Sequence, residues 1–124
     1  MKLGDVTKKV VPKMCLVARP TAGGNLTTRT FIPHDCHAAV GVLGAVTAAT
    51  AAVTEGTVAF RVAQVPEGLR KTFSVQHPTG EFTVVLEMST ANPTEVARAS
   101  LLRTARLLMR GEVMIPGDIW KDKA

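Results

Sequence analysis

Two short stretches near the start of the chain have hydrophobic patterns that favour strands. Met14 to Ala18 is an apolar run that ends at Arg19 and Pro20, and Leu26 to Ile32 interleaves Thr and Arg with Leu and Phe. Alternation that includes several β-branched residues is typical of strands. The residues between the two runs, Thr21 to Asn25, include two glycines and an asparagine, which favour turns. The pattern therefore predicts a β-hairpin.

The stretch from Ala38 to Val53 carries no charged residue and is rich in Ala, Gly, Val and Thr. We expect a helix from about Cys36 to Val53, with Asp35 as its N-terminal cap and Gly56 at its end. A helix that is apolar on every side has to be enclosed on every side, and its small residues allow close approach. The sequence therefore predicts an α+β fold in which a curved, mainly antiparallel β-sheet is wrapped around one central buried helix.

Further strands are predicted after this helix, because apolar residues recur between turn residues. The predicted strands cover Thr57 to Val62, Thr72 to Gln76 and Phe82 to Met88. The stretch from Val96 to Met109 is ambiguous, since its leucines fit a helical period and part of it also alternates like a strand. On periodicity alone, a helix is favoured there.

Composition narrows the class of protein. A chain of 124 residues with 46% hydrophobic and 20% charged residues is expected to fold as a single domain, residues 1–124, rather than stay disordered. The net charge of +5 is spread along the chain without interleaved aromatic residues, so we expect no nucleic-acid partner. Two cysteines and no recognisable signal peptide favour the cytoplasm. The uncharged stretch is too short and too weakly apolar for a membrane span, so no membrane partner is expected.

Three separated motifs resemble those of a known family. They are the run from Arg29 to Val46, which reads RTFIPHDCHAAVGVLGAV, then HPTGEF from His77, and LRTARLLMRG from Leu102. In this order they are similar to the second half of the PrpF-like isomerases, and most closely to the 4-oxalomesaconate tautomerases among them. The resemblance extends over nearly all of the chain.

The resemblance implies a fold and a relation to a longer protein. Members of the family have a diaminopimelate-epimerase-like fold, with two similar domains that each wrap a sheet around a central helix. The resemblance further implies a strand from Arg103 to Val113, in place of the helix that periodicity favours. Residues 1–124 resemble the C-terminal half of family members, which are roughly three times as long as this chain, and their first domain is missing here.

An activity is implied in the same way. The family moves a proton between two carbon atoms of a small unsaturated di- or tricarboxylate, such as 4-oxalomesaconate, and the resemblance implies neither a metal nor an organic cofactor. The related epimerases use one acid/base group from each domain. The alternative is a non-catalytic ligand-binding or interaction module.

Cys36 is the candidate catalytic residue, because it corresponds to the second-domain cysteine of the epimerases. At the start of a helix, the backbone amides and the macrodipole would favour its thiolate, although a buried cysteine that only packs is the plainer alternative. The neighbouring His34 and His37 are candidates for binding a substrate carboxylate, with helix capping as their structural alternative. A zinc site would need more ligands than this cluster offers, so no metal site is predicted.

Two further groups are candidates for binding substrate. The sequence from His77 through Thr79 to Gly80 predicts a tight turn whose amides and hydroxyl would hold a carboxylate, although a plain turn between two strands would look the same. Arg29 carries a planar guanidinium suited to a carboxylate, or it is an ordinary surface charge. The expected partner is a second copy of the chain in a homodimer, or a separate chain that supplies the missing half.

Overall fold

A mixed β-sheet with two helices forms the fold. The computed structural model describes residues 2–32, 34–117 and 119–120. Its strands are β1 (Met14–Ala18), β2 (Leu26–Phe31), β3 (Arg70–His77), β4 (Gly80–Met88) and β5 (Val96–Leu101). Two helices, α1 (Val42–Val53) and α2 (Val58–Val62), lie between β2 and β3 in the chain. The α+β class predicted from the sequence is confirmed.

The strands are ordered β1-β2-β3-β4-β5 in one sheet. Strand β2 runs parallel to β3, and the other three neighbouring pairs are antiparallel. This follows from the connections, since short turns join antiparallel strands, whereas a parallel pair needs a long crossover. The two helices supply that crossover. The sheet is therefore mainly antiparallel, and the predicted hairpin of β1 and β2 is confirmed.

The core lies between the sheet and one face of α1. Alternate residues of β3 and β4 are completely buried, and they face the alanines of the helix; the buried set includes Phe73, Val75, Val84 and Leu86 with Ala45, Ala49 and Ala52. Alternation places one side of each strand on the core. The small alanine side chains let the helix backbone lie close to the sheet.

Helix α1 begins six residues later than predicted. Its N-cap is Gly41, without a side-chain cap, so Asp35 does not cap it. Cys36 is instead held beside β2, because it forms an antiparallel bridge with Phe31. The helix ends at Val53 as predicted, with Thr54 rather than Gly56 directly after it, and Thr54 Oγ1 donates to the Thr50 carbonyl oxygen. Pro33, within the same loop, lies outside the described residues.

One face of α1 is not covered by the described residues. Leu43 is 81% exposed, and Val42 and Thr47 are exposed beside it. The sheet lies against the opposite, alanine-rich face only. The predicted enclosure of this helix on all sides is therefore not met within the part of the chain described. No helix in those residues is both long and apolar enough to cross a bilayer.

Three local predictions are wrong. The strand predicted over Thr57 to Val62 is helix α2, because Thr57 Oγ1 accepts a hydrogen bond from the Phe60 amide at 3.1 Å and caps the helix. The helix favoured over Val96 to Met109 is absent, since Val96–Leu101 is strand β5. The strand implied over Arg103 to Val113 is also absent, because residues 102–116 adopt neither helix nor strand.

Candidate functional site

Two loops that carry most of the candidate residues meet at the end of the sheet. The first is the loop from His34 to Gly41, and the second is the turn from His77 to Gly80, whose ends pair at the tip of β3 and β4. Thr79 Oγ1 donates a hydrogen bond to the Ala38 carbonyl oxygen at 2.8 Å. The same hydroxyl lies 3.3 Å from His77 Nδ1. The turn predicted to bind a carboxylate is thus joined directly to the loop that contains Cys36.

Cys36 lies on the extended part of the first loop. Its bridge with Phe31 is flanked by two backbone hydrogen bonds, from the Ile32 amide to the Asp35 carbonyl (3.2 Å) and from the His37 amide to the Thr30 carbonyl (2.8 Å). The thiol is exposed. Because α1 begins at Val42, the predicted position of Cys36 at the helix N-terminus is wrong. Its role in catalysis stays a prediction.

Arg29 and Cys36 share one face of the sheet. Residues opposite each other in an antiparallel pair project to the same side, so Cys36 projects with Phe31, and Arg29 projects there too because it precedes Phe31 by two. Arg29 is exposed, and its Nη1 donates to the Thr28 carbonyl oxygen at 2.8 Å. The buried residues Leu26 and Thr28 occupy the other face. The guanidinium is therefore outside the core.

His77 lies on the opposite face of the sheet. It follows Phe73 and Val75 at intervals of two, and both of these are buried against the core. The imidazole itself is only half-buried, at the end of the strand. The candidate residues are therefore divided between the two faces, with Arg29 and Cys36 on one side and His77 on the other.

The remaining histidines are both exposed. His37 Nδ1 lies 3.1 Å from the Ala39 carbonyl oxygen. A carbonyl only accepts hydrogen bonds, so this contact favours the proton on Nδ1 and leaves Nε2 as the acceptor of a neutral ring. His34 lies at the outer bend of the loop. No group of three His, Cys, Asp or Glu side chains in the described part of the chain is arranged to hold a metal ion.

Side-chain hydrogen bonds hold β2 against β3 and so fix where the two loops lie. The parallel pairing covers only Leu26 with Val75 and Thr27 with Gln76. Thr28 Oγ1 adds a bond to the Gln76 carbonyl oxygen at 2.8 Å, and Thr27 Oγ1 donates to Gln76 Oε1 at 2.9 Å. Since Cys36 is bridged to the end of β2 and His77 ends β3, these bonds set the spacing of the site.

Asn25 makes a comparable link at the other end of β2. Its Oδ1 accepts from the Ser74 amide at 2.8 Å, and its Nδ2 donates to the Gln64 carbonyl oxygen at 2.8 Å. The sequence predicted only turn chemistry at this position. Both contacts are with residues about 40 or more positions away, so local sequence carries no signal for them.

An open cavity of about 680 Å³ lies along the exposed face of α1 and was not predicted. The β1–β2 hairpin forms one wall through Cys15, Val17 and Thr30, and the two helices form the other through residues that include Val42, Leu43 and Val58. The feature of the sequence that could have indicated this cavity is the apolar character of α1 on all sides. The cavity lies where enclosure was expected and is missing.

Comparisons with known proteins place this geometry in context. Residues 3–116 match the profile of the family described as PrpF protein. The chain is 57% identical to the (4E)-oxalomesaconate Delta-isomerase of Novosphingobium sp. (strain KA1) over 115 residues, which cover 93% of this chain and 32% of that relative. It is 48% identical to the 4-oxalomesaconate tautomerase of Pseudomonas putida over 120 residues, which cover 97% of this chain and 32% of the relative.

A more distant relative and a solved structure agree in the extent of the match. The putative isomerase YbhH of Escherichia coli (strain K12) is 36% identical over 116 residues, covering 94% of this chain and 32% of that protein. The crystal structure of methylitaconate-delta-isomerase superposes with a TM-score of 0.68 at 24% identity, over 87% of this chain and 30% of the solved chain. The chain thus spans about a third of the length of the curated relatives that it matches.

Proposed function

The chain belongs to the PrpF protein family, and from this membership we propose that it forms one part of an isomerase acting on a small unsaturated di- or tricarboxylate. The observation that carries the proposal is the 57% and 48% identity, across nearly the whole chain, to two relatives named for isomerising oxalomesaconate. We propose 4-oxalomesaconate as the substrate on the same ground. The reaction is a 1,3-proton shift without metal or organic cofactor, in the cytoplasm.

The reaction requires a base at one carbon atom and an acid at another. A base removes a proton from one carbon, the negative charge spreads over the conjugated keto and carboxylate groups, and a proton is returned two carbons away. Donors directed at the oxygens that gain charge lower the barrier. In our proposal Cys36 is the acid/base group that this chain supplies.

Binding of the carboxylates falls to the groups around Cys36. Arg29 shares the sheet face of Cys36 and offers a planar fork of donors. His34 and His37 lie on the same loop, and the hydrogen bond from Thr79 to Ala38 joins this loop to the turn of His77 and Gly80. The proposal assigns the substrate carboxylates to Arg29, His34 and His37, while the turn, whose His77 lies on the opposite face of the sheet, positions the Cys36 loop through Thr79.

The rest of the site is proposed to come from polypeptide outside this chain. The relatives are about three times as long, so two thirds of their length has no counterpart here. We propose that this remainder supplies the second acid/base group and covers the exposed face of α1, which completes the wrapped, diaminopimelate-epimerase-like arrangement expected from the sequence. A homodimer that places Cys36 of both copies in one cleft is the alternative.

Hydrogen exchange of the substrate tests the proposal. The chain is compared with a hybrid polypeptide in which it replaces the matching third of the Pseudomonas putida relative, and both are incubated with 4-oxalomesaconate in deuterated water. We expect the hybrid to incorporate deuterium far above the buffer rate and the isolated chain to do little. A soluble, folded hybrid that exchanges no faster than buffer would favour the non-catalytic binding module instead.

A further inference from the structure

The hydroxyl of Thr79 makes two contacts, and together they determine which atoms carry hydrogen. Thr79 Oγ1 lies 2.8 Å from the Ala38 carbonyl oxygen and 3.3 Å from His77 Nδ1. Two oxygen atoms at hydrogen-bond distance need a hydrogen between them, and a carbonyl oxygen has none to donate. The single hydrogen of the Thr79 hydroxyl is therefore directed at Ala38.

The contact between Thr79 and the imidazole then has a fixed direction. A threonine hydroxyl has one hydrogen and two lone pairs, so an oxygen that donates to Ala38 can only accept from His77. His77 Nδ1 must therefore carry a hydrogen. A neutral ring then keeps its lone pair on Nε2, and a charged ring has a hydrogen on both nitrogens, so Nδ1 donates to Thr79 in either state.

Gly80 helps to set the orientation of this ring. It is paired with His77 across the tip of β3 and β4. An alanine Cβ at position 80 would lie 3.6 Å from His77 Cε1 and 3.9 Å from His77 Nε2, which is ordinary van der Waals contact. The ring thus lies beside the glycine, and Nδ1 is the nitrogen that reaches Thr79.

The bond from Thr79 holds the middle of the loop that contains Cys36. On one side of Ala38, Cys36 is bridged to Phe31, and on the other side Val40 is buried in the core. Among the described residues, the bond from Thr79 is the one side-chain hydrogen bond that reaches this loop from another part of the chain. Its loss would release the backbone only two residues from the Cys36 thiol.

We propose that His77 is a positioning residue for Cys36, which it orients by donating a hydrogen bond from Nδ1 to the Thr79 hydroxyl. The inference rests on the proposed function, because that function gives Cys36 the acid/base role. The sequence predicted a hydroxyl that binds a substrate carboxylate, whereas the hydrogen of this hydroxyl is bonded to Ala38. In this assignment the pair of His77 and Thr79 orients a proton-transfer group and does not contact the substrate.

Heteronuclear NMR of the full chain tests the position of the hydrogen. At a pH well above the usual range for imidazole, long-range proton–nitrogen correlations show which nitrogen of each neutral ring is protonated. We expect Nδ1 for His77 in the parent chain, and Nε2, the form that free histidine favours, in Thr79→Val. A parent chain in which His77 carries its hydrogen on Nε2 would overturn the inference.

Two substitutions of His77 separate the roles of its nitrogens. Asparagine places an amide donor near the position of Nδ1, whereas glutamine places one near Nε2. In the full chain, the amide signals of Cys36 and Ala38 should shift in His77→Gln and Thr79→Val, and should stay near those of the parent in His77→Asn and Thr79→Ser. Signals that move in His77→Asn but not in His77→Gln, or that move in none of the variants, would overturn the inference.

Kinetics in the hybrid with the Pseudomonas putida relative separate positioning from substrate binding. Thr79→Val and His77→Gln should lower kcat for deuterium incorporation by roughly 10-fold or more and change KM by less than about threefold, because a misplaced group slows the chemical step. Thr79→Ser and His77→Asn should recover most of the rate. A rise in KM at unchanged kcat would assign this turn to substrate binding and overturn the inference.

Thr54 provides the matched control. Its hydroxyl also donates to a backbone carbonyl, that of Thr50, at 2.8 Å, and it follows the end of α1 that lies away from the Cys36 loop. Thr54→Val in the hybrid should keep the kcat and KM of the parent. A loss of kcat as large as that of Thr79→Val would overturn the inference, because the effect would then follow from any such bond.

The outcomes also separate this inference from the proposed function. A folded hybrid that exchanges no substrate protons would refute the function, while the NMR spectra of the full chain would still decide the bond between His77 and Thr79. A hybrid that catalyses exchange, in a protein whose His77 carries its hydrogen on Nε2, would refute this inference alone.

Discussion

Thr28 is the residue at which the contact between β2 and β3 is tested most cleanly. It is 1% exposed, and its hydroxyl donates to the Gln76 carbonyl oxygen at 2.8 Å across a parallel pairing that covers only two residues of each strand. Thr28→Val keeps the shape of the side chain and removes the hydroxyl. The change therefore removes one hydrogen bond from the narrowest part of the sheet.

The expected cost follows from the burial of both groups. A typical internal hydrogen bond contributes about 1 kcal/mol, and leaving a buried acceptor without its donor costs about 1–3 kcal/mol. The Gln76 backbone is partly buried, so we expect Thr28→Val to lower the free energy of unfolding by about 1–2 kcal/mol. For a chain of this size that corresponds to a fall in Tm of about 3–10 °C.

Thr30 provides the matched control. It lies on the same face of β2, and its hydroxyl reaches only the Cys15 thiol, at 3.6 Å, which is a weak acceptor. Thr30→Val should therefore cost less than about 0.5 kcal/mol. Urea unfolding of both variants, monitored by circular dichroism, gives the comparison. Equal stability of the two variants, or a Thr28→Val variant as stable as the parent, would refute the role assigned to this hydrogen bond.

Three further predictions concern the core, a close approach and a carboxylate. Phe73→Ala removes a completely buried ring and should lower the free energy of unfolding by about 3–5 kcal/mol in urea titrations. Gly24→Ala places a Cβ 2.7 Å from Gln76 Cγ, so thermal melting should show destabilisation, and Gln76→Ala should relieve it. The Asp5 carboxylate accepts bonds from the Thr7 hydroxyl and amide, which lower its pKa; Thr7→Ala should raise that pKa, as measured by NMR titration.

The strands could be predicted from the sequence because their signals are local. Phe82 to Met88 places an apolar residue at every second position, and these positions are the buried face of β4, whereas β2 is marked by its β-branched threonines. Period-two patterning needs no knowledge of the rest of the fold. The same holds for the turn from His77 to Gly80, whose Pro and Gly residues mark it directly.

The start of α1 could not be predicted in this way. Asp35 is a typical helix-capping residue, yet the bridge between Cys36 and Phe31 holds Cys36 beside β2, and the helix begins only after Gly41. That bridge is a tertiary pairing with the preceding strand. At α2 the reverse applies, since the β-branched residues from Thr57 to Val62 favour a strand, whereas the Thr57 cap stabilises a helix.

Only part of the candidate site could be predicted, because its arrangement also depends on contacts between residues that are far apart in the sequence. The junction of the Cys36 loop with the turn depends on Thr79 bonding to Ala38, which is 41 residues away in sequence. The division of Arg29 and His77 between opposite faces depends on strand register, which appears only when the sheet is assembled. The cavity beside α1 exists because the sheet covers only one face of this helix, and that coverage is settled only when the sheet is assembled.

Substitution of the two cysteines decides whether this chain supplies a proton-transfer group to an isomerase. Cys36→Ser and the control Cys15→Ser are placed in the hybrid with the Pseudomonas putida relative, both thiols being exposed in the chain. Deuterium incorporation into 4-oxalomesaconate should fall by roughly 100-fold or more with Cys36→Ser and by less than about threefold with Cys15→Ser. Equal rates in the two variants, with both proteins folded, would exclude Cys36 as the acid/base group.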